Sequence, residues 1–154
     1  DTLVKLLVRM KREDDQVIVI CGSNKKVRKK IDRHFGDRDD TVVIGRTDKM
    51  PLYLKACDII FTKPGGLTST EAAVAEIPIV HTSPIPGCET ANRRYFKKHG
   101  MSVSGAESVS QVAAGVRLME HPDECDRMRE RQRLCIPKDS ALEICEFIRM
   151  KVNG

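Results

Sequence analysis

Short apolar runs alternate with helix-like segments through most of this chain, and this alternation limits its fold more than any other feature. The runs are rich in β-branched residues and cover residues 16–21, 41–45, 58–61, 78–81 and 101–104. Segments with helical spacing of apolar residues separate them. The pattern predicts an α/β fold, a Rossmann-like parallel sheet with helices on both faces.

Length and composition narrow the class of protein. A chain of 154 residues fits one domain with a substantial core. The net charge of +5 suits a phosphate-bearing ligand or an anionic membrane surface, although a solvated basic face has the same composition. Aromatic residues make up only 4% and Trp is absent, so recognition of nucleic acid by base stacking is not expected.

The cysteines and the hydropathy indicate the cellular compartment that suits this chain. None of the six cysteines forms a Cys-x-x-Cys pair, and several lie in or beside apolar runs, where a thiol behaves as a small hydrophobic group. We therefore expect neither a metal site nor a disulfide framework, and we expect the protein to work in a reducing cytoplasm. The sequence shows no signal peptide and no apolar run near the length of a membrane span, so we expect no transmembrane segment.

Residues 63–71, Lys-Pro-Gly-Gly-Leu-Thr-Ser-Thr-Glu, are the strongest candidate for a ligand site. They join a predicted strand to a predicted helix. Gly65 and Gly66 allow a ligand to approach the backbone, and a helix N-terminus offers N–H groups to an anion. Hydroxyl groups at 68–70 add donors, and Glu71 supplies a carboxylate one turn later. This chemistry suits a diphosphate and a ribose. A tight chain reversal alone would also explain the two glycines.

Three other loops are predicted to share an edge with this segment. In a parallel sheet, ligands bind outside the carboxyl ends of the strands. That rule brings together the loops at residues 22–24, 46–50, 63–68 and 83–92. The sequence therefore predicts a composite site built from four loops.

The motifs in these loops resemble a known family. They are Gly22-Ser-Asn24, Gly45 followed by Met50, Lys63-Pro-Gly-Gly-Leu-Thr68 with Glu71-Ala72, and Pro84-Ile-Pro-Gly-Cys-Glu89 with Asn92. In this order they resemble the C-terminal domain of the family 28 glycosyltransferases, and within it the processive diacylglycerol glucosyltransferases and monogalactosyldiacylglycerol synthases.

The resemblance implies a fold, a ligand and a set of contacts. The fold would be the C-terminal half of a GT-B architecture, and residues 1–154 a single UDP-sugar-binding domain of a larger two-domain enzyme that transfers a hexose to a lipid acceptor such as diacylglycerol. UDP-sugar would be a substrate, with no separate cofactor. By this resemblance, uracil would meet Thr47 and Met50, the diphosphate Gly65, Gly66, Leu67 and Thr68, the ribose Glu71, the donor sugar Glu89 and Asn92, and Gly22 would line the cleft.

The resemblance also places several functions outside these residues. The acceptor groove, the membrane-facing surface and the general base belong to the family's N-terminal domain, so we expect no catalytic residue in this chain. No Asp-x-Asp motif lies in the four loops, so we expect no metal ligand there. The fragment alone is expected to bind the donor without turnover. The intact enzyme is expected to be cytoplasmic and peripheral to the membrane.

Two departures from the family pattern affect this interpretation. Cys88 stands where the lipid-glycosylating branch usually has glutamine, which leaves the donor sugar open. The family's first strand, which lies between the strands at 16–21 and 58–61, has no counterpart here. The chain could have been cut inside the domain, those two strands could pair directly, or copies could exchange strands in a homodimer.

Two rival functions fit the same motifs. A UDP-sugar 2-epimerase shares the architecture and a related Gly-Gly…Glu segment. A non-catalytic subunit would bind the donor and depend on a separate chain for the acceptor site.

Overall fold

The computed structural model describes residues 2–152 and confirms the predicted parallel α/β architecture. Helices and strands follow one another in the expected order. The elements are α1 (Thr2–Met10), β1 (Val17–Ile20), α2 (Lys25–Phe35), β2 (Thr41–Ile44), α3 (Met50–Ala56), β3 (Ile60–Thr62), α4 (Gly66–Val74), β4 (Ile79–His81), α5 (Cys88–Lys98), β5 (Val103–Ser104), α6 (Ser108–Glu120), α7 (Pro122–Cys135) and α8 (Ser140–Val152).

The strands form two parallel sheets. β1 pairs with β2, with Val17 opposite Thr41. β3, β4 and β5 pair in chain order, with Ile60 opposite Ile79 and Val80 opposite Val103. β1 and β3 do not pair within the described residues, so the alternative in which these strands close the gap directly is wrong.

An apolar cavity of about 370 Å³ lies between the unpaired edges of β1 and β3. Ile18 and Ile20 of β1 line one wall, and Ile59 and Phe61 line the opposite wall. Side chains of α3 line it as well. At this point the two sheets are therefore separated by a cavity, and no strand pairing joins them in the described part of the chain.

Both faces of the β3–β4–β5 sheet are buried. Ile79 belongs to a core cluster with Leu54, Phe96 and Met101. The next residue, Val80, belongs to a second cluster with Leu118, Cys125 and Met128. Successive side chains of a strand point to opposite faces, so these clusters lie on the two sides of the sheet. This explains why the strand is apolar throughout instead of alternating.

Contacts of α1 connect the β1–β2 sheet to the rest of the chain. α1 packs against β1 and against α6, which itself packs on β4 and β5. Lys11, just after α1, forms a 3.0 Å ion pair with Asp40, just before β2. Hydrogen bonds from Arg38, and further ones from Lys11 and Thr41, hold the pKa of the Asp40 carboxyl well below its usual range.

The last helix is exposed. α8 contains no buried residue, and its apolar side chains are more than half exposed, with Leu142 at 60%, Phe147 at 56% and Met150 at 67%. None of the described helices is long and apolar enough to cross a membrane.

Gly115 sets the distance between α6 and the sheet. A Cβ at this position would overlap the ring of Phe61 on β3. We therefore expect Gly115→Ala to lower the free energy of unfolding by about 1–3 kcal/mol, the usual cost of overpacking a core. Urea unfolding would measure the loss. Ala113→Gly on the same helix is the comparison for helix propensity, and an unchanged stability in Gly115→Ala would contradict the close packing.

Candidate functional site

The start of α4 presents unpaired backbone donors at the carboxyl end of β3. The first backbone hydrogen bond of this helix runs from Ser69 N–H to the Gly65 carbonyl, at 3.1 Å. The N–H groups of Gly66, Leu67 and Thr68 consequently donate to no acceptor in the described part of the chain. No side chain caps this end, and Leu67 is 82% exposed. These N–H groups and the helix dipole suit an anion.

The neighbouring helix α2 provides a contrast at the same edge. Its N-terminus is capped by Asn24, whose side-chain oxygen accepts a 3.0 Å hydrogen bond from Val27 N–H. At this edge, then, a side chain can cap the first N–H groups of a helix, as it does in α2. The uncapped start of α4 leaves its donors available to a ligand.

The loop before α4 is held in shape by the protein itself. Pro64 is buried, and Gly65 N–H donates to the Lys63 carbonyl at 2.8 Å. From α5, the Asn92 amide donates to the Pro64 carbonyl at 3.0 Å. Asn92 was predicted to touch the donor sugar, and in this structure its NH₂ group holds the loop before α4 through the Pro64 carbonyl.

A buried histidine connects α4 to the sheet. His81, at the end of β4, is fully buried between two serines. Its Nε2 lies 3.0 Å from Ser69 Oγ on α4, and its Nδ1 lies 3.0 Å from Ser102 Oγ before β5. The ring of Phe96 packs edge-on against it. Burial, with a smaller effect of the Arg93 charge, lowers the pKa of His81 to about 4. The imidazole is thus neutral at physiological pH.

This contact changes the role of one predicted hydroxyl donor. Ser69 was grouped with Thr68 and Thr70 as a possible ligand donor, but its side chain is buried against His81. Thr68 is half-buried and Thr70 is exposed, so these two remain accessible. In the sequence, His81 ends an apolar run and Ser69 lies in a predicted helix. Neither position indicates that the two side chains meet.

The carboxylates predicted to bind sugars differ in their surroundings. Glu71 is exposed on α4, one turn beyond the uncapped N–H groups, and its carboxylate makes no hydrogen bond or ion pair in the part of the chain that is described. Glu89 is half-buried at the start of α5, where one oxygen accepts a 2.6 Å hydrogen bond from Ile85 N–H. Glu89 therefore shapes the loop after β4, and Glu71 is available to a ligand.

Of the residues predicted to contact uracil or to line the cleft, Gly22 and Met50 lie at one cavity and Thr47 is not among its lining residues. Gly22, Met50 and Thr68 all line the cavity between β1 and β3. Met50 also packs against the core cluster around Leu54, so its side chain is partly used in packing. The hydroxyl of Thr47 lies in the loop after β2 and accepts a 3.0 Å hydrogen bond from Lys49 N–H.

Comparison with known proteins gives one family match and several similar sequences. The family described as "Glycosyl transferases group 1" matches residues 1–134. The processive diacylglycerol beta-glucosyltransferase of Staphylococcus saprophyticus is 33% identical over 102 residues, which are 64% of this chain and 26% of that protein. The protein of the same name from Staphylococcus aureus is 31% identical over 100 residues, 65% of this chain and 25% of that one. The chain thus spans about a quarter of the length of these relatives.

Solved structures share the fold at low identity. The S. aureus MnaA–UDP co-structure aligns with a TM-score of 0.70 and 15% identity, covering 99% of this chain and 49% of that one. A putative UDP-N-acetylglucosamine 2-epimerase from Listeria monocytogenes gives a TM-score of 0.67 at 20% identity, over 82% of this chain and 33% of that one. The glycosyltransferase SnogD from Streptomyces nogalater gives 0.51 at 16%, over 89% and 43%.

These structural similarities establish the fold and not the reaction, because epimerases and glycosyltransferases share it. The family match identifies the family of the chain, since it covers most of its residues. The relatives are also of the kind that the loop motifs resembled. The chain belongs to the group 1 family of glycosyl transferases.

Proposed function

We propose that this chain is the donor-binding part of a UDP-sugar-dependent glycosyltransferase that transfers a hexose to a lipid acceptor such as diacylglycerol. The observation that carries the proposal is the uncapped start of α4, where the N–H groups of Gly66, Leu67 and Thr68 have no acceptor. Its place at the carboxyl edge of a parallel sheet is where such folds bind ligands. The names of the similar staphylococcal proteins supply the lipid acceptor and the sugar class.

In the proposed complex the diphosphate accepts hydrogen bonds from the start of α4. The hydroxyl of Thr68 adds a donor, and the exposed Glu71 carboxylate accepts from the ribose hydroxyls. Gly22 leaves the rim of the cleft open, and the loops with Thr47 and Met50 lie towards the base. Glu89 and Asn92 hold the loops that face the donor sugar.

The same groups account for the protein's share of the chemistry. An acceptor hydroxyl attacks the anomeric carbon, the bond to the UDP oxygen breaks, and negative charge grows on the departing diphosphate. Preorganised N–H groups stabilise such charge without having to reorganise. The general base and the acceptor groove are assigned to a part of the intact protein beyond these residues.

The proposal extends to the setting of the intact protein. A diacylglycerol acceptor resides in a membrane, so we place the enzyme at the cytoplasmic face, attached peripherally. The unpaired edges of β1 and β3 support association with a further strand, either from the same protein or through a homodimer.

Binding of UDP by the chain, measured by calorimetry, tests the proposal. Glu71→Ala is expected to weaken UDP binding by about 10-fold or more, because hydrogen bonds to a charged group contribute about 1.5–3 kcal/mol. Glu146→Ala on the exposed helix α8 is the matched control and should bind like the wild type. Uridine diphosphate affinity that is unchanged in Glu71→Ala, with circular dichroism also unchanged, would contradict the ribose contact.

The rival functions predict different results with the intact protein. Transfer of labelled hexose from UDP-hexose to diacylglycerol supports the transferase. Inversion at C2 of the UDP-sugar without transfer supports the epimerase, whose fold is shared. A requirement for a second purified chain before any transfer occurs supports the non-catalytic subunit.

A further inference from the structure

A second cleft lies between α5 and the segment that follows β5. It has a volume of about 370 Å³ and is open to solvent. One wall is a single face of α5, since its residues are three, four and seven positions apart. The other wall is the chain after β5. The lining residues are Thr90, Arg93, Arg94, Lys97, Ser104, Gly105 and Ala106.

The cleft is strongly cationic. Arg93, Arg94 and Lys97 contribute three positive charges, and no acidic residue lines the walls. None of the three forms an ion pair with a carboxylate in the described part of the chain. The positive charge of Arg93 also helps to lower the pKa of the buried His81. Like charges gathered without counter-charges favour a bound anion.

Neutral donors complete the lining. Thr90 and Ser104 contribute hydroxyl groups from the two walls. The N–H groups of Gly105 and Ala106 donate no hydrogen bond to another described residue. Guanidinium groups, an ammonium group and hydroxyls together match the three or four oxygens of a phosphate group, which accepts several charge-assisted hydrogen bonds at once.

We propose that this cleft binds a phosphate group, either as a free anion or as part of a phospholipid headgroup. It shares no lining residue with the start of α4, where Gly66, Leu67 and Thr68 present their N–H groups. Thr90 belongs to the loop at residues 83–92, so the test of this cleft is made with the start of α4 already occupied by UDP.

A phosphate titration followed by NMR tests the site. The chain is first saturated with UDP, so that the start of α4 is occupied, and inorganic phosphate is then added at constant ionic strength with sulfate-free buffer. The expected result is saturable shifts of the Gly105 and Ala106 amide signals. Arg94→Gln/Lys97→Gln should weaken this binding by about tenfold, since charge-assisted hydrogen bonds are lost.

Controls and a second arm separate the outcomes. Lys98→Gln lies on the same helix outside the cleft and should bind phosphate like the wild type, which removes a general effect of charge. Arg93→Gln provides an independent variant of the same wall. Phosphate affinities that are equal in the wild type and both cleft variants would overturn the proposal, whether or not UDP binds.

The vesicle arm identifies the source of the phosphate. The chain is sedimented with vesicles of phosphatidylcholine alone or with phosphatidylglycerol added. Sedimentation only with phosphatidylglycerol, lost in Arg94→Gln/Lys97→Gln and retained in Lys98→Gln, supports a headgroup. Phosphate binding without sedimentation supports a free phosphate anion. Sedimentation that is equal in the cleft variant and the control, without phosphate binding, contradicts the site.

Discussion

Gly66→Pro should weaken UDP binding by about 10- to 100-fold while leaving the fold intact. Gly66 is the first residue of α4, a position that favours proline because its N–H has no helical acceptor. The preceding Gly65 has φ −72° and ψ 145°, which is the extended conformation that a residue before proline adopts. The substitution therefore deletes one donor to the diphosphate, a hydrogen bond to a charged group that contributes about 1.5–3 kcal/mol.

Gly66→Ala is the matched control for this experiment. A Cβ at this position has only the Asn92 amide nearby, at 3.9 Å, so alanine fits and keeps the N–H. Calorimetric titration with UDP should give a wild-type affinity for alanine and the large loss for proline. Urea unfolding should show proline to be neutral or slightly stabilising, because it restricts the unfolded chain. Equal UDP affinities in the two variants would remove the start of α4 from the binding site.

Acidification should destabilise the chain through His81. The folded-state pKa is lowered to about 4, because burial disfavours the charged imidazole. An unfolded histidine has a pKa of about 6.5, so the unfolded state binds the proton first as the pH falls. The contribution of His81 is complete above about pH 6.5 and is lost progressively down to about pH 4, a total of about 3 kcal/mol.

Urea unfolding at about pH 7.5 and about pH 5 measures this effect. The wild type should lose about 2 kcal/mol more than His81→Gln over this interval, since glutamine does not titrate. Comparing the two proteins at each pH cancels the carboxylates that they share. Glutamine can also replace both hydrogen bonds to Ser69 and Ser102. Parallel pH profiles for the two proteins would show that His81 does not remain neutral in the folded chain.

Local patterns predicted the elements well. The run at residues 16–21 is apolar and β-branched, and the structure has β1 at Val17–Ile20. The Gly-Gly pair was expected to open a helix, and α4 begins at Gly66. Both features depend on residues adjacent in sequence, through side-chain shape and backbone freedom. The rule for carboxyl ends then predicted which loops share an edge.

The division of the sheet did not follow from local pattern. The sequence left open whether β1 and β3 pair, and the structure keeps them apart around an apolar cavity. The placement of the strands goes with contacts such as those of α1 with α6 and of α6 with β4 and β5. Such contacts join residues far apart in the chain, and no periodicity within one segment reports them.

Several side-chain roles were likewise decided by tertiary contacts. Glu89 and Asn92 were assigned to the donor sugar from the motifs, and the structure shows them holding Ile85 and Pro64. Whether they also touch a donor sugar stays a prediction. The cationic cleft arises because α5 packs beside the chain after β5, and the paired arginines in the sequence did not distinguish it from a solvated face.

The sequence by itself determined the elements, their parallel order and the turn from strand to helix at residues 63–71, where a ligand edge and a phosphate contact stay predictions. These follow from backbone preferences and apolar spacing, which act over a few residues. Only the tertiary structure decided that Ser69 is used by His81, that the N–H groups of Gly66, Leu67 and Thr68 have no acceptor, and that β1 and β3 remain unpaired. Hydrogen-bond partners and burial depend on which distant segments meet, so they exist only in the folded chain.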